Sequence, residues 1–204
     1  MKQNKISYLL RGTPSILMAL GAGFVMASSS DIRAALGMGC AVLLSMFFSS
    51  IVVSAIRKII PSYAKLPVYL LIITGFVSLI SMLMTAFFPT VVDMLGVHLA
   101  TLSVSAVVFR DTEEVADNKS MGDSIVTALV TGAFFTVVMA VCAVIREVIG
   151  NATIWGKAIP FMENYKISAI AGAFGGYLVL AIVLAIINKI TGMQKKENRE
   201  EEDN

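Results

Sequence analysis

Residues 34–56 and 66–88 each run for 23 positions without a charge, and the turn between them holds three bases, Arg57, Lys58 and Lys65. At about 1.5 Å per residue each run extends roughly 34 Å as a helix, enough to cross a hydrocarbon core about 30 Å thick. The basic turn is too short to be anything but a tight connection at one membrane face, and such loops stay on the cytoplasmic side. One span, a cytoplasmic turn and a second span therefore orient the whole chain. Of the 204 residues 57% are apolar and 15% charged, and the apolar runs are continuous rather than alternating. That excludes an ordinary soluble globule and a membrane β-barrel, and leaves an all-α integral membrane protein.

The other apolar runs complete a six-span layout. Residues 12–30 form a first span of only 19 positions that carries Pro14, Gly21 and Gly23, so a break is expected there. Asp31 is placed to cap the second span. Residues 94–109 supply only 16 uncharged positions for a fourth span, short enough to require an interruption or snorkelling ends. Residues 124–145 and 167–188 are the fifth and sixth spans, and the loop between them holds Trp155 and Tyr165, rings suited to the interface. Residues 110–123 form an acidic loop containing Asp111, Glu113, Glu114, Asp117 and Asp123, read either as a cation-collecting or docking segment or as a solvated loop. Residues 1–190 are thus expected to form one six-helix domain, and residues 191–204 a charged cytoplasmic tail without regular structure.

Charge placement agrees with this layout. With both termini inside, twelve of the 16 Lys and Arg residues fall on the cytoplasmic side, and only Arg33, Arg146, Lys157 and Lys166 fall outside. The net charge of +2 reports orientation and gives no reason to invoke a nucleic acid. A faint internal repeat accompanies the spans. Pro14-Ser-Ile-Leu-Met-Ala-Leu-Gly21 resembles Pro89-Thr-Val-Val-Asp-Met-Leu-Gly96, and Ala55-Ile-Arg-Lys-Ile-Ile60 resembles Val144-Ile-Arg-Glu-Val-Ile149. From Gly21 to Gly96 is 75 residues and from Arg57 to Arg146 is 89, a difference the acidic loop could absorb. Three spans separate the copies, so the two halves would be inverted, with the short or broken first and fourth helices in corresponding places.

Few side chains offer chemistry. Asp93, His98 and Glu113 are candidates for an ion pathway or polar site, since ionisable groups near a membrane interior are functional by default. The plainer alternative is that Asp93 caps the fourth helix and His98 bonds within the bundle. Cys40 and Cys142 lie inside the second and fifth spans, as packing residues or as a redox pair, without disulfide or metal-ligand spacing. Ser168, Gly172 and Gly176 are spaced by four and would let another helix approach closely.

Three stretches resemble a known family: Ala35-Leu-Gly-Met-Gly39, Val53-Ser-Ala-Ile-Arg-Lys-Ile-Ile-Pro61 followed by Leu66-Pro-Val-Tyr69, and Arg146-Glu-Val-Ile-Gly-Asn-Ala-Thr-Ile-Trp-Gly156. They are similar to the RnfE, RsxE and NqrD membrane subunits of ion-translocating electron-transport complexes. The resemblance implies two inverted three-helix repeats in a bacterial or archaeal cytoplasmic membrane. It also implies an accessory subunit of a translocase that couples electron transfer to Na+ or H+ movement. Its partners would be an RnfA- or NqrE-like sister subunit and subunits carrying flavin or iron-sulfur centres. In such relatives an iron-sulfur cluster lies between the sisters, held by cysteines on helices one and four. This chain departs there: Gly21-Ala-Gly-Phe24 replaces Gly-Leu-Cys-Pro, and Ser105-Ala106 replaces Asn-Cys. Gly23 and Ala106 have no thiolate to offer, so the cluster is expected to receive no ligand from this chain. The alternative reading is a redox-silent paralogue working as a transporter or scaffold.

Overall fold

The structure is a computed structural model that describes Gly23 and residues 31–105, 108, 109, 112, 121–155, 157, 158 and 168–202. Its centre is helix α1, Ile32–Ile56, which starts where the Asp31 carboxylate accepts the Arg33 N–H at 2.8 Å. Asp31 has the extended backbone of an N-cap, and its charge sits at the positive end of the helix. The expected cap and second span are therefore both present.

Helix α1 is buried on two sides because small residues let its neighbours come close. Val91 presses against Gly37, and Thr136 presses against Gly39, 2.5 Å from where a Cβ would stand. Four residues on, the α1 backbone at Leu43 comes within 3.0 Å of a Cβ built on Gly132. Gly39 meets Thr136 while Leu43 meets Gly132, so α1 and helix α5, Met121–Arg146, run antiparallel. Met38, Val42 and Met46 of α1 share a core with Phe135, Val138, Met139 and Cys142 of α5. Lipid tails are as apolar as these side chains, so close packing rather than hydrophobic expulsion holds the pair together.

A basic turn and the 3-10 turn Ser62–Ala64 lead into helix α2, Lys65–Phe87. This helix buries one stripe, Tyr69, Ile73, Val77 and Ile80, while Leu71, Leu79, Met82, Leu83 and Phe87 stay exposed. Phe48 of α1 stacks on Phe76 of α2 with ring centroids 5.6 Å apart.

The expected interruption of the fourth span is found at Gly96. Helix α3, Pro89–Leu95, has proline at its first position, and Gly96 then turns the chain with φ +51°. Helix α4, Val97–Thr101, and the 3-10 turn Leu102–Val104 follow, and Ser105 returns to extended backbone. Leu95, Leu99 and Leu102 keep one buried stripe across the break. The expected first span lies outside the described residues, apart from the helical Gly23.

Helix α5 ends in a π turn, Glu147–Asn151, closed by Ala152 in left-handed backbone. What the sequence presents as a plain loop is therefore partly ordered. Thr153–Ile154 pairs antiparallel with Lys157–Ala158 in a two-residue ladder. The expected sixth span also differs, because it is divided at Gly172 into helix α6, Ser168–Ala171, and helix α7, Ala173–Glu202. Helix α7 runs on through most of the tail expected to lack structure. The Gln, Lys, Glu and Arg residues of positions 194–202 are good helix formers, and their charge does not stop a helix already started.

Three helical stretches are long and apolar enough to cross a membrane, Ile32–Ile56, Lys65–Phe87 and Met121–Asn151, with Phe174–Ile187 as a shorter apolar one. The α1–α5 contact yields a double test. Gly39→Ala is expected to lower stability by about 1–3 kcal/mol through overpacking. Adding Thr136→Ala removes the two nearest crowding atoms, leaving its Cβ at 3.0 Å, and should restore part of that loss in thermal unfolding in lipid nanodiscs. Gly132→Ala, which meets the Leu43 backbone, should not be relieved by truncating Leu43.

Candidate functional site

The densest polar chemistry among the described residues gathers where α5 ends, α1 begins and α6 gives way to α7. Arg146 and Glu147 are adjacent, 3% and 1% exposed, and they reach in different directions. One Glu147 carboxylate oxygen accepts the Ile32 N–H at the start of α1 at 2.8 Å, and the other accepts the Thr153 hydroxyl at 3.3 Å. The Arg146 guanidinium donates to the carbonyls of Ile170, Ala171 and Gly172 at 3.3, 2.8 and 3.2 Å. Ile170 and Ala171 close α6, and Gly172 is the bend after it, its carbonyl also accepting the Gly176 N–H at 3.3 Å.

Each charge therefore answers a helix dipole of opposite sign: a carboxylate at the N-terminus of α1, a guanidinium at the C-terminus of α6. A π turn at Glu147–Asn151 widens the end of α5 beside this site, and Gly150 admits the Ala171 backbone to 2.8 Å of where a Cβ would stand. Arg33 donates to the Trp155 carbonyl and so ties the strand pair to the same end.

A second polar region lies at the opposite end of the α1–α5 pair. Ser45, Ser49, Ser50 and Ser54 of α1 are buried, as are Ser124 and Thr127 of α5 and Ser105 after the fourth span. Ser45 donates to the Val42 carbonyl at 2.9 Å, whereas the hydroxyls of Ser49, Ser50 and Ser54 have no partner among the described residues.

The candidates chosen from sequence fall elsewhere. Asp93 on α3 and His98 on α4 are on the exposed side, with Leu95 and Leu99 of the same segments turned to the core. Glu113 lies outside the described residues. Ser168 opens α6, Gly172 is the bend and Gly176 is buried on α7, while the close backbone approaches here are made by Gly150 and Gly175. Cys40 is exposed on α1 and Cys142 buried on α5. In the antiparallel pairing the residue facing Cys40 lies seven positions from Cys142, about 10 Å along the axis at 1.5 Å per residue. Gly23 is exposed with nothing within 4 Å of its Cβ position, and Ala106 is outside the described residues. No group of three His, Cys, Asp or Glu that could hold a metal occurs among the described residues.

Sequence reasoning passed over Glu147 and the serines. Adjacent opposite charges directly after a 22-residue uncharged run were the available signal for Glu147. For the serines it was hydroxyls recurring at helical spacing within a span.

The clasp predicts an order of severity. Glu147→Gln replaces a charged acceptor by a neutral one and should cost about 1 kcal/mol, and Glu147→Ala about 2–3 kcal/mol because the start of α1 is left unpaired. Arg146→Lys should fail to restore wild-type stability, since one ammonium cannot reproduce the guanidinium fork. Thermal denaturation in nanodiscs reads all three.

Comparison with known proteins is consistent with this architecture. Residues 1–192 match the family described as Rnf-Nqr subunit, membrane protein. The chain is 27% identical over 180 residues to the E component of the Na+-translocating ferredoxin:NAD+ oxidoreductase complex of Acetobacterium woodii, covering 88% of this chain and 92% of that protein. It is 30% identical over 193 residues to the E component of the ion-translocating oxidoreductase complex of Methanosarcina acetivorans, covering 91% of each. A component of the same description from Glaesserella parasuis is 29% identical over 189 residues, 86% of this chain and 82% of that protein. With nearly its whole length matched and its apolar helices in place, the chain belongs to the Rnf-Nqr family of membrane subunits.

Proposed function

We infer that this chain is the RnfE-like membrane component of a complex that couples electron transfer to Na+ or H+ translocation. The observation that carries the reading is the match over residues 1–192, joined by relatives described as the E component of ion-translocating oxidoreductases that align along more than four-fifths of both chains. The partners this reading requires are an RnfA- or NqrE-like sister subunit and subunits bearing flavin or iron-sulfur centres. The location is the cytoplasmic membrane of a bacterium or archaeon, with both termini inside.

Two inverted three-helix halves fit this reading. The repeat relates Arg57 to Arg146, and the same 89-residue offset relates Leu43 to Gly132, which are in contact. A two-fold axis through the α1–α5 interface requires such contact of the equivalent residues lying on it. The break at Gly96 supports the match with Gly21, whose neighbourhood would be the broken first helix.

The iron-sulfur cluster that the family implies does not fit the residues of this chain. Gly23 offers open space but no sulfur, and Ala106 has no donor. Cys40 and Cys142 sit on the bodies of two packed helices, which do not slide several residues cheaply. The chain therefore contributes binding and ion-path surface rather than thiolates.

Affinity purification of the tagged chain from its native host tests the function. Co-purification of a second multi-span subunit and of flavin-bearing partners, with electron-driven ion uptake in proteoliposomes, is expected. A chain that purifies alone and transports without an electron donor would replace this reading with the redox-silent transporter or scaffold. Iron and sulfide analysis with low-temperature EPR is expected to show no cluster sensitive to Cys40→Ser or Cys142→Ser. A reporter fused after Lys196 is expected to be active only in the cytoplasm.

A further inference from the structure

Inside a membrane bundle a serine hydroxyl ordinarily bonds back to a carbonyl of its own helix, as Ser45 does to Val42. One turn further along, Ser49, Ser50 and Ser54 are 0, 0 and 8% exposed, and none of their hydroxyls has a partner among the described residues. Three such hydroxyls within two turns of a helix are costly unless something beyond the described residues occupies their lone pairs.

Other oxygens stand at the same level. The antiparallel pairing through Leu43 and Gly132 sets the last turns of α1 beside the first turns of α5, where Ser124 and Thr127 are buried. Buried Ser105 ends the interrupted span, and its carbonyl accepts the N–H of Phe109, a side chain that packs with Val53 of α1 and Tyr69 of α2. Oxygens from three elements thus lie toward the end of α1 that leads into the basic turn. Interrupted spans at membrane depth are where unwound backbone and hydroxyls bind coupling ions.

We propose that Ser49, Ser50 and Ser54, with Ser105, Ser124 and Thr127 beside them, form an oxygen-donor site for a partly dehydrated monovalent cation, namely Na+. The inference rests on the reading of the chain as a component of an ion-translocating complex. The donors are neutral, and half-buried Asp123 at the start of α5 is the nearest carboxylate in sequence. A divalent ion, which demands carboxylates, is poorly served by such a set. Arg57, Lys58 and Lys65 of the basic turn lie at the same end and oppose cation entry, so occupancy depends on the buried oxygens rather than on surface attraction.

The test compares thermal unfolding of the full-length chain, with whatever subunits purify with it, in nanodiscs at constant ionic strength in NaCl, KCl and choline chloride. Na+ at about ten times its dissociation constant should raise Tm by about 3 °C or more over choline. The triple variant Ser49→Ala/Ser50→Ala/Ser54→Ala should lose that increment, and its Tm in choline should be unchanged or higher, since it removes only unpaired groups. Should the triple variant misfold, the single variants Ser49→Ala and Ser50→Ala should each raise the half-saturating Na+ concentration several-fold, while Ser45→Ala leaves it unchanged. The site is overturned if Na+ gives no increment over choline in the unaltered protein, or if the increment survives the triple variant, in which case water alone occupies these hydroxyls. An Na+ increment in a chain that purifies without electron-transfer partners would keep the site and overturn the functional reading instead.

Discussion

A helix that begins or ends inside a membrane domain leaves backbone groups without partners, and hydrocarbon offers no water to supply them. The residue pair Arg146–Glu147 answers that constraint at two helices at once. The Glu147 carboxylate meets the start of α1, and the Arg146 guanidinium meets the end of α6. Only because these ends are satisfied can the chain break between α6 and α7 at Gly172 and α1 start beside the strand pair Thr153–Ile154 and Lys157–Ala158. Either charge alone would be an expensive burial. Placed side by side at the end of α5, each is stabilised by the backbone groups it meets, and each serves a separate helix.

From that end the rest of the bundle is a matter of distance. Gly37 and Gly39 admit one neighbour each, and Gly132 admits the backbone of α1, so three elements share one axis of contact. The pair α1–α5 is the rigid member, and the interrupted segments α3–α4 and α6 lie against its flanks. This divides the protein into a close-packed centre and a set of short pieces set against it, the usual distribution of labour between support and site in a transport protein.

Much of this was legible because a membrane makes length and charge decisive. An uncharged run of 23 residues has few alternatives, and α1 and α2 begin and end within two residues of those runs. The shortness of the uncharged run at 94–109 pointed to an interruption, and Gly96 is where backbone geometry places it. Gly172 was ambiguous in principle, since a glycine at membrane depth either lets a neighbour approach or breaks the helix, and only the neighbouring backbone decides which. Asp93 and His98 attracted attention as ionisable groups. Asp93 stands two positions from Leu95, about 200° round a helix, and thus faces away from the core that Leu95 enters. Glu147 reads from sequence as the charge that marks the end of a span, because its partner, the first N–H of α1, lies 115 residues away. The serines recur at helical spacing in the sequence, but which of them lacks a partner does not show there: a serine that bonds to its own helix and one that does not are the same letter.

Helix α2 is attached differently from the central pair, through a single stripe of Tyr69, Ile73, Val77 and Ile80. Its hydrophobic length of roughly 34 Å exceeds an average bilayer core by several ångströms, a mismatch relieved by tilting. The central pair resists such tilting because its contact is backbone to backbone, whereas α2 can rock about one seam of side chains. A change in bilayer thickness is therefore more readily accommodated at this helix than at the central pair, and the basic turn at Arg57, Lys58 and Lys65 lies at the end that such tilting would displace.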